Sequence, residues 1–488
     1  MVILDRGREL SDPPPMEFVL PERLPRDERP LSRMAHCRAA RLAVTSGRTP
    51  FAEGVSMSAQ QARHEHHPWA ELGLRVRLLA QGALTWFSAW RGDALARTLR
   101  APWRDNPYPL YAQLRAQGPL VRSKLGALAC TTHELCDSVL RDRRFGVRTS
   151  DGSYGDPSAA AVDLQLSLLE MDPPDHSRLR KLAAPGFRPR RLERYRQRIE
   201  DVAHDLLDRA VERGEFDLVR DFASPLPIRV ICELLGLPQL DAERLAHHGT
   251  VLGGALDGIR SVRHLRQMRE SFAELDALFE RLIEERRAQP GEDVVSDLVA
   301  ALEEGELTST ELVHLCDLLL VAGFETTVNL IGNGTLALLR HPQQWDLLRD
   351  DPTLAAAVVE ETLRWDPPVQ MTMRIAHEPV ELAGRRLRTD TPVLVLLAAA
   401  GRDPAVHPDP ERFDITRPDR GEHLAFSSGI HYCLGAPLAR LEAEIAFRAL
   451  ATRLPDLRRA GAAVRRPTSV IHGLTSLPVT TGRTLTPT

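Results

Sequence analysis

Lysine is almost missing from this chain: among 63 basic residues only Lys124 and Lys181 are lysines, and the rest are arginines. The imbalance reads as a bias of the coding sequence and carries no chemistry of its own. Net charge is scarce as well. A formal charge of -4 and a pI near 6.5 give no bulk basic surface, so neither nucleic acid nor an anionic membrane is expected as the main partner. Cysteine is sparse and scattered, at positions 37, 130, 136, 232, 316 and 433, with no CxxC pair. That spacing excludes a disulfide framework and points to a reducing compartment. The start, Met1-Val2-Ile3-Leu4-Asp5-Arg6, lacks a cationic segment followed by a long apolar one, so we expect neither secretion nor a membrane anchor, and a cytoplasmic location. No repeat at solenoid periods is present.

What is present is a long chain, 488 residues and 43% hydrophobic, enough for a large core without staples. Residues 1–56 are rich in Pro and Arg without periodicity and read as a disordered leader, with Met57 as a possible alternative start. Residues 57–104 form an extension whose stretch from Leu72 to Trp90 carries Leu74, Leu78, Leu79, Trp86 and Phe87; the reading is a helix packed on the body in preference to a membrane-surface helix. From 105 to 488 we expect a single domain. Helical patterns run from Leu192 to Arg213 and from Leu265 to Arg287, and short strand signals cluster at Pro119–Thr131 and Val380–Ala398, with Gly384 at a turn. The fold class is therefore mainly α with small β-sheets, α+β.

The most informative segment is Phe426-Ser427-Ser428-Gly429-Ile430-His431-Tyr432-Cys433-Leu434-Gly435-Ala436-Pro437, followed by a helical pattern from Leu438 to Leu450. Gly429 and Gly435 allow the loop to fold tightly under a flat ligand, and Pro437 suits the first helical turn. Cys433 then sits just before a helix N-terminus, where backbone N–H groups favour thiolate. A lone cysteine is ordinarily a buried small hydrophobe. Here the whole segment resembles the cysteine-ligand loop of the cytochrome P450 family, which implies that Cys433 is the axial ligand of haem iron. The family pattern usually has Gly where this chain has Ser427.

The resemblance extends over about Asp105 to Thr480 and looks closest to the soluble bacterial branch. It implies a haem b buried between a long distal helix and the Cys433 loop, with Phe426, Gly429, His431 and Gly435 beside it. The run Ala322-Gly323-Phe324-Glu325-Thr326-Thr327 resembles the distal helix, so Ala322 and Gly323 would admit the porphyrin while Glu325 and Thr326 supply protons to dioxygen. A mid-helix Thr otherwise bonds back to its own helix. His176, Arg180, Arg374 and His431 match positions that hold the haem propionates. Glu361 and Arg364, one helical turn apart, with Arg412 of Pro410-Glu411-Arg412-Phe413, match a buried structural network. Val369, Gln370, Met371 and Leu474 are candidates for the wall of an apolar substrate pocket.

The function implied is a monooxygenase that inserts one oxygen atom of O2 into a hydrophobic small molecule, by hydroxylation or epoxidation, in secondary metabolism. A monomer is expected, taking NAD(P)H-derived electrons from a ferredoxin and its reductase that dock through Arg178 and Arg440. Oxidative coupling, a peroxygenase and a haem sensor without turnover remain as alternatives; Glu325 and Thr326 speak against the peroxygenase.

Overall fold

The computed structural model describes residues 68–153, 167–238, 242–418 and 422–481. The chain divides into residues 1–65 and a compact unit of residues 66–488. The expected leader, 1–56, and Met57 lie outside the described residues. The compact unit begins well before residue 105, because the helix α1 (Pro68–Trp90) packs on the short helix Ala94–Thr98, which in turn packs on Tyr108–Arg115. The expected border at 104/105 is therefore no structural border.

The helices that position the site are α2 (Asp175–Ala183), α3 (Pro225–Leu235), α4 (Ala242–Gly253), α5 (Val262–Ala288), α6 (Ser309–Arg340), α7 (Ala355–Trp365) and α8 (Ala436–Arg453). The long α6 starts at a capping box in which Thr308 and Glu311 satisfy each other's backbone N–H, and it stops before Pro342, whose ring cannot continue it. Helices α3, α4, α5, α7 and α8 all pack against α6. By length and composition α6 could cross a membrane, yet 72% of its apolar stretch is buried inside the protein, which makes it the core helix of the unit.

Beside the helices lies a five-stranded sheet of β1 (Leu120–Arg122), β2 (Leu128–Cys130), β3 (Phe145–Gly146), β4 (Thr372–Ala376) and β5 (Pro392–Val395), in the spatial order β1-β2-β5-β4-β3. Only the β2–β5 pair is parallel; Ala129 faces Leu394 there. The strand signals near 119–131 and 380–398 correspond to β1, β2, β5 and the hairpin Val380–Leu382 with Arg385–Leu387, which turns at Gly384 with φ +73°. The architecture is mainly helical with small sheets, as the periodicities required.

Candidate active site

The loop of Cys433 lies between the C-terminal end of helix His133–Arg141 and the start of α8. Gly429 has φ +67°, and a Cβ on it would stand 2.4 Å from the Leu140 carbonyl oxygen, so glycine is required twice over. Gly435, in contrast, has φ −84° and open space where a Cβ would stand; conformational need does not explain it. Ser427 adopts φ +62°, a left-handed backbone that a side chain resists, and its buried hydroxyl has no hydrogen-bond partner. Replacing Ser427 with Gly is expected to stabilise the protein by about 1 kcal/mol, read as a rise in the urea midpoint at unchanged slope.

Of the cysteines among the described residues, Cys130, Cys136, Cys232 and Cys316 are buried and Cys433 alone is partly accessible. Burial of its sulfur pushes the Cys433 thiol up, while the N–H groups of Gly435 and Ala436 and the guanidinium groups of Arg180 and Arg440 pull it down; burial wins. The helix start is thus insufficient to favour thiolate, contrary to the sequence argument. A metal cation on the sulfur would supply the missing term.

On the same side four cationic or N–H-bearing side chains converge. The rings of His176 and His431 are 4.3 Å apart; both His176 nitrogens and His431 Nε2 are buried, neither His176 nitrogen has a hydrogen-bond partner, and His431 Nε2 has only the Asp172 carboxylate, 3.9 Å away and beyond hydrogen-bond reach. Burial, with His431 and Arg180 beside it, pushes His176 down to about 4. Arg374, from β4, is buried with only the Met373 carbonyl (2.9 Å) and the Thr372 hydroxyl (3.3 Å) as acceptors, and burial lowers it to about 10. Arg180 donates to the Tyr432 carbonyl at 2.6 Å. The carboxylate at the edge, Asp172, already takes the N–H groups of Val147 and Arg148. Desolvated donors with no acceptor are costly, and two carboxylates of one bound group would answer them. The residues present fit a haem: a sulfur ligand on one element and a cradle for two propionates beside it.

In the middle of α6, Ala322 is exposed and Thr326 half-exposed between buried neighbours such as Leu320, Phe324 and Val328. The Thr326 hydroxyl meanwhile bonds back to the Ala322 carbonyl at 3.3 Å. Gly323 does not share the face of Ala322 and Thr326: a Cβ there would lie 2.7 Å from Ile231, so its small size serves the packing of α6 on α3 and not the approach of a porphyrin. Glu325 also turns away from Thr326. Its carboxylate pairs with Arg466 at 2.5 Å, lies against Gly249 and Gly253 of α4, and borders a cavity of about 390 Å3 shared with Arg220, Glu243 and Thr250. Burial raises its pKa in spite of Arg466.

The scaffold network is built as expected in its first two members and differently in its third. Arg364 grips both oxygens of Glu361, at 2.7 and 2.8 Å, and donates to the carbonyls of Gly401, Pro410 and Arg412. Arg412 contributes only that carbonyl; its side chain is 63% exposed and reaches Asp414. The guanidinium that enters is Arg417, 3.3 Å from Glu361. A second polar node escaped the sequence reading: Asp366 receives Arg465 at 3.0 Å and the Tyr108 hydroxyl at 2.6 Å, and Arg465 also bonds Asn333 of α6. It ties α6 and α7 to the segment around 465–474, across too many residues for local spacing to reveal.

The proposed pocket walls separate likewise. The Gln370 amide is spent on the Pro367 carbonyl and the Tyr108 and Tyr111 hydroxyls, and Met371 sits in the core with Tyr111 and Leu396, so neither is free to line a pocket. Val369 is half-buried and bridges Ile471, while Leu474 lines the Glu325 cavity. Arg178 and Arg440, expected to dock a redox partner, are committed within the chain: Arg178 to Glu311 at 2.5 Å, Arg440 to both oxygens of Glu360 and across the Phe426 ring.

A family model described as Cytochrome P450 matches residues 259–453. The monooxygenase PikC of Streptomyces venezuelae is 45% identical over 386 residues, covering 77% of this chain and 91% of its own. The biotin biosynthesis cytochrome P450 of Bacillus subtilis is 39% identical, covering 78% and 98%. The crystal structure of CalO2 superimposes with a TM-score of 0.73 at 37% identity, again covering 78% and 98%. Relatedness of that extent, together with the cysteine loop and the donor cradle, shows that the chain belongs to the cytochrome P450 family of haem monooxygenases.

Proposed function

We propose that this enzyme inserts one oxygen atom into a hydrophobic small molecule, with Cys433 as the axial ligand of the haem iron and with electrons passed from NAD(P)H through a separate ferredoxin and reductase in the cytoplasm. The observation that carries the reading is the pair of buried imidazoles, His176 and His431, whose nitrogens lack hydrogen-bond partners, with buried Arg374 beside them and the one partly accessible described cysteine close by. When bound, haem supplies the oxidising chemistry; the chain supplies orientation, dryness and protons.

Arg374, His176 and His431 would hold the propionates, with Arg180 braced on the Tyr432 carbonyl beside them. Ala322 would leave room for the bound group, and the Thr326 hydroxyl, which donates to the Ala322 carbonyl here, would hold a proton beside it. Glu325 is a proton carrier only when it leaves Arg466, because the pair seen here points it to the cavity beside α4. The apolar side chains of Leu474, Val219 and Val328 in the cavity beside Glu325 support a hydrophobic substrate. Since Arg178 and Arg440 are engaged, partner docking rests on other cations, and reversing Arg440 would disturb the Cys433 loop through Glu360 as well as any docking.

The test is spectroscopic. Ferrous protein under carbon monoxide should show the red-shifted band of thiolate ligation, Cys433→Ala should lose it, and hydrophobic candidates should shift the ferric spectrum. A carbonyl spectrum like that of an imidazole-bound globin, or a Cys433→Ala protein with an unchanged spectrum, overturns the assignment.

A further inference from the structure

Helix α1 is apolar on two faces and only one is used. Leu74 and Leu78 are half-buried and Ser88 and Ala89 buried against the body, where Arg97 donates to the Ala89 carbonyl at 3.0 Å and Arg100 to that of Gly82 at 3.3 Å. Those clamps, with the contacts to Ala94–Thr98, fix the rotation of the helix. The opposite side presents Leu72, Val76, Leu79, Trp86, Phe87 and Trp90, with Leu79 74% and Trp90 68% exposed. The sequence reading had Leu79, Trp86 and Phe87 packed on the body; they face away from it. At about 100° per residue all six fall within roughly 100° of one another around the axis, and exposed Ala83 spans the gap between Leu79 and Trp86, so they form a stripe along the helix. A patch of this kind on a soluble fold marks a contact surface.

The charge around the stripe identifies the occupant. The helix sequence contains one acid, Glu71, against Arg75 and Arg77, and Arg91 follows directly and lies over the Phe87 ring. Arg75 and Arg77 are exposed, one on each flank of the apolar arc. Two copies of α1 face to face would oppose arginine to arginine with almost no acid to answer them. An anionic lipid surface satisfies both parts at once: the aromatic and aliphatic side chains enter the acyl boundary, tryptophan sits at the headgroup level, and the arginines meet phosphates. We propose that α1 is a surface-lying docking helix that places this enzyme reversibly on anionic membrane. The chain's net charge of -4 is no obstacle, since the contact needs only local positive charge within a Debye length.

Full-length protein would be mixed with vesicles of phosphatidylglycerol and phosphatidylcholine, or of phosphatidylcholine alone, and followed by co-sedimentation and by tryptophan quenching with brominated acyl chains. Binding to the anionic vesicles, weakened by salt, is expected. The Leu79→Glu/Trp90→Glu variant should lower partitioning by more than about tenfold, and Arg75→Gln/Arg77→Gln by about tenfold on anionic vesicles only. These positions are exposed, so both variants should keep the parent's circular dichroism and melting temperature. The proposal fails if vesicles are ignored, if neutral vesicles bind equally well, or if the stripe variant binds like the parent. It fails also if light scattering finds a dimer that the stripe variant abolishes, or if the tryptophans resist iodide until proteolysis removes the residues ahead of α1.

Discussion

Glu361→Ala should cost about 3–5 kcal/mol of stability, whereas Arg412→Ala should change it by no more than about 0.5 kcal/mol. The first substitution leaves the Arg364 guanidinium, almost fully buried, with carbonyl acceptors but no counter-charge, and it removes the acceptor of the Asp414 N–H and of Arg417. The second removes an exposed side chain that reaches only Asp414, a kind of pair worth little. The backbone carbonyl of residue 412, which Arg364 and Arg417 both use, survives any substitution there. Urea denaturation of the parent and the Glu361→Ala, Arg412→Ala and Arg417→Ala variants decides it. Equal losses for both variants would mean that Arg412 turns inward in solution, and a larger loss for Arg417→Ala than for Arg412→Ala is the accompanying expectation.

That contrast shows what local sequence can and cannot reveal. Glu361 and Arg364 lie one turn apart on a strongly periodic helix, so their pairing follows from geometry that the sequence states. Arg412 and Arg417 both lie outside helix and strand in the segment after α7, where no periodicity tells which guanidinium folds inward. The cysteine loop was legible where a residue answers a backbone demand, as Gly429 does with its positive φ and Pro437 in the first turn of α8; Gly435 and Ser427 answer none. Glu325 and Thr326 were read as a unit, yet adjacent residues on a helix point about 100° apart, and the structure sends one to Arg466 and leaves the other half-exposed. Helix α1 failed for the opposite reason: being apolar on two faces, it gave no sign of which would pack. The Asp366 node depends on Asn333, Tyr108 and Arg465, joined only by the tertiary fold.

Asp317→Asn should raise stability at alkaline pH and add almost nothing near pH 4. Asp317 stands early in α6, buried, and neither of its oxygens meets a hydrogen-bond donor. Burial, with the Asp276 carboxyl of α5 acting in the same direction, pushes its pKa up to about 9. An unfolded chain releases this proton near pH 4, at about 3.9. Between those values the native state binds a proton that the unfolded state has lost, so stability falls as pH rises, with a ceiling of about 1.4 kcal/mol per pH unit, and levels off above about 9. Asparagine keeps the shape and removes the titration. The difference between the two proteins therefore reports Asp317 together with its effect on the neighbouring Asp276, apart from the other acids and bases in the chain. Thermal melts at pH 5 and pH 8.5 should show the gap between variant and parent widening with pH; parallel curves would mean that Asp317 is ionised in the folded protein and has found a donor or water that satisfies it.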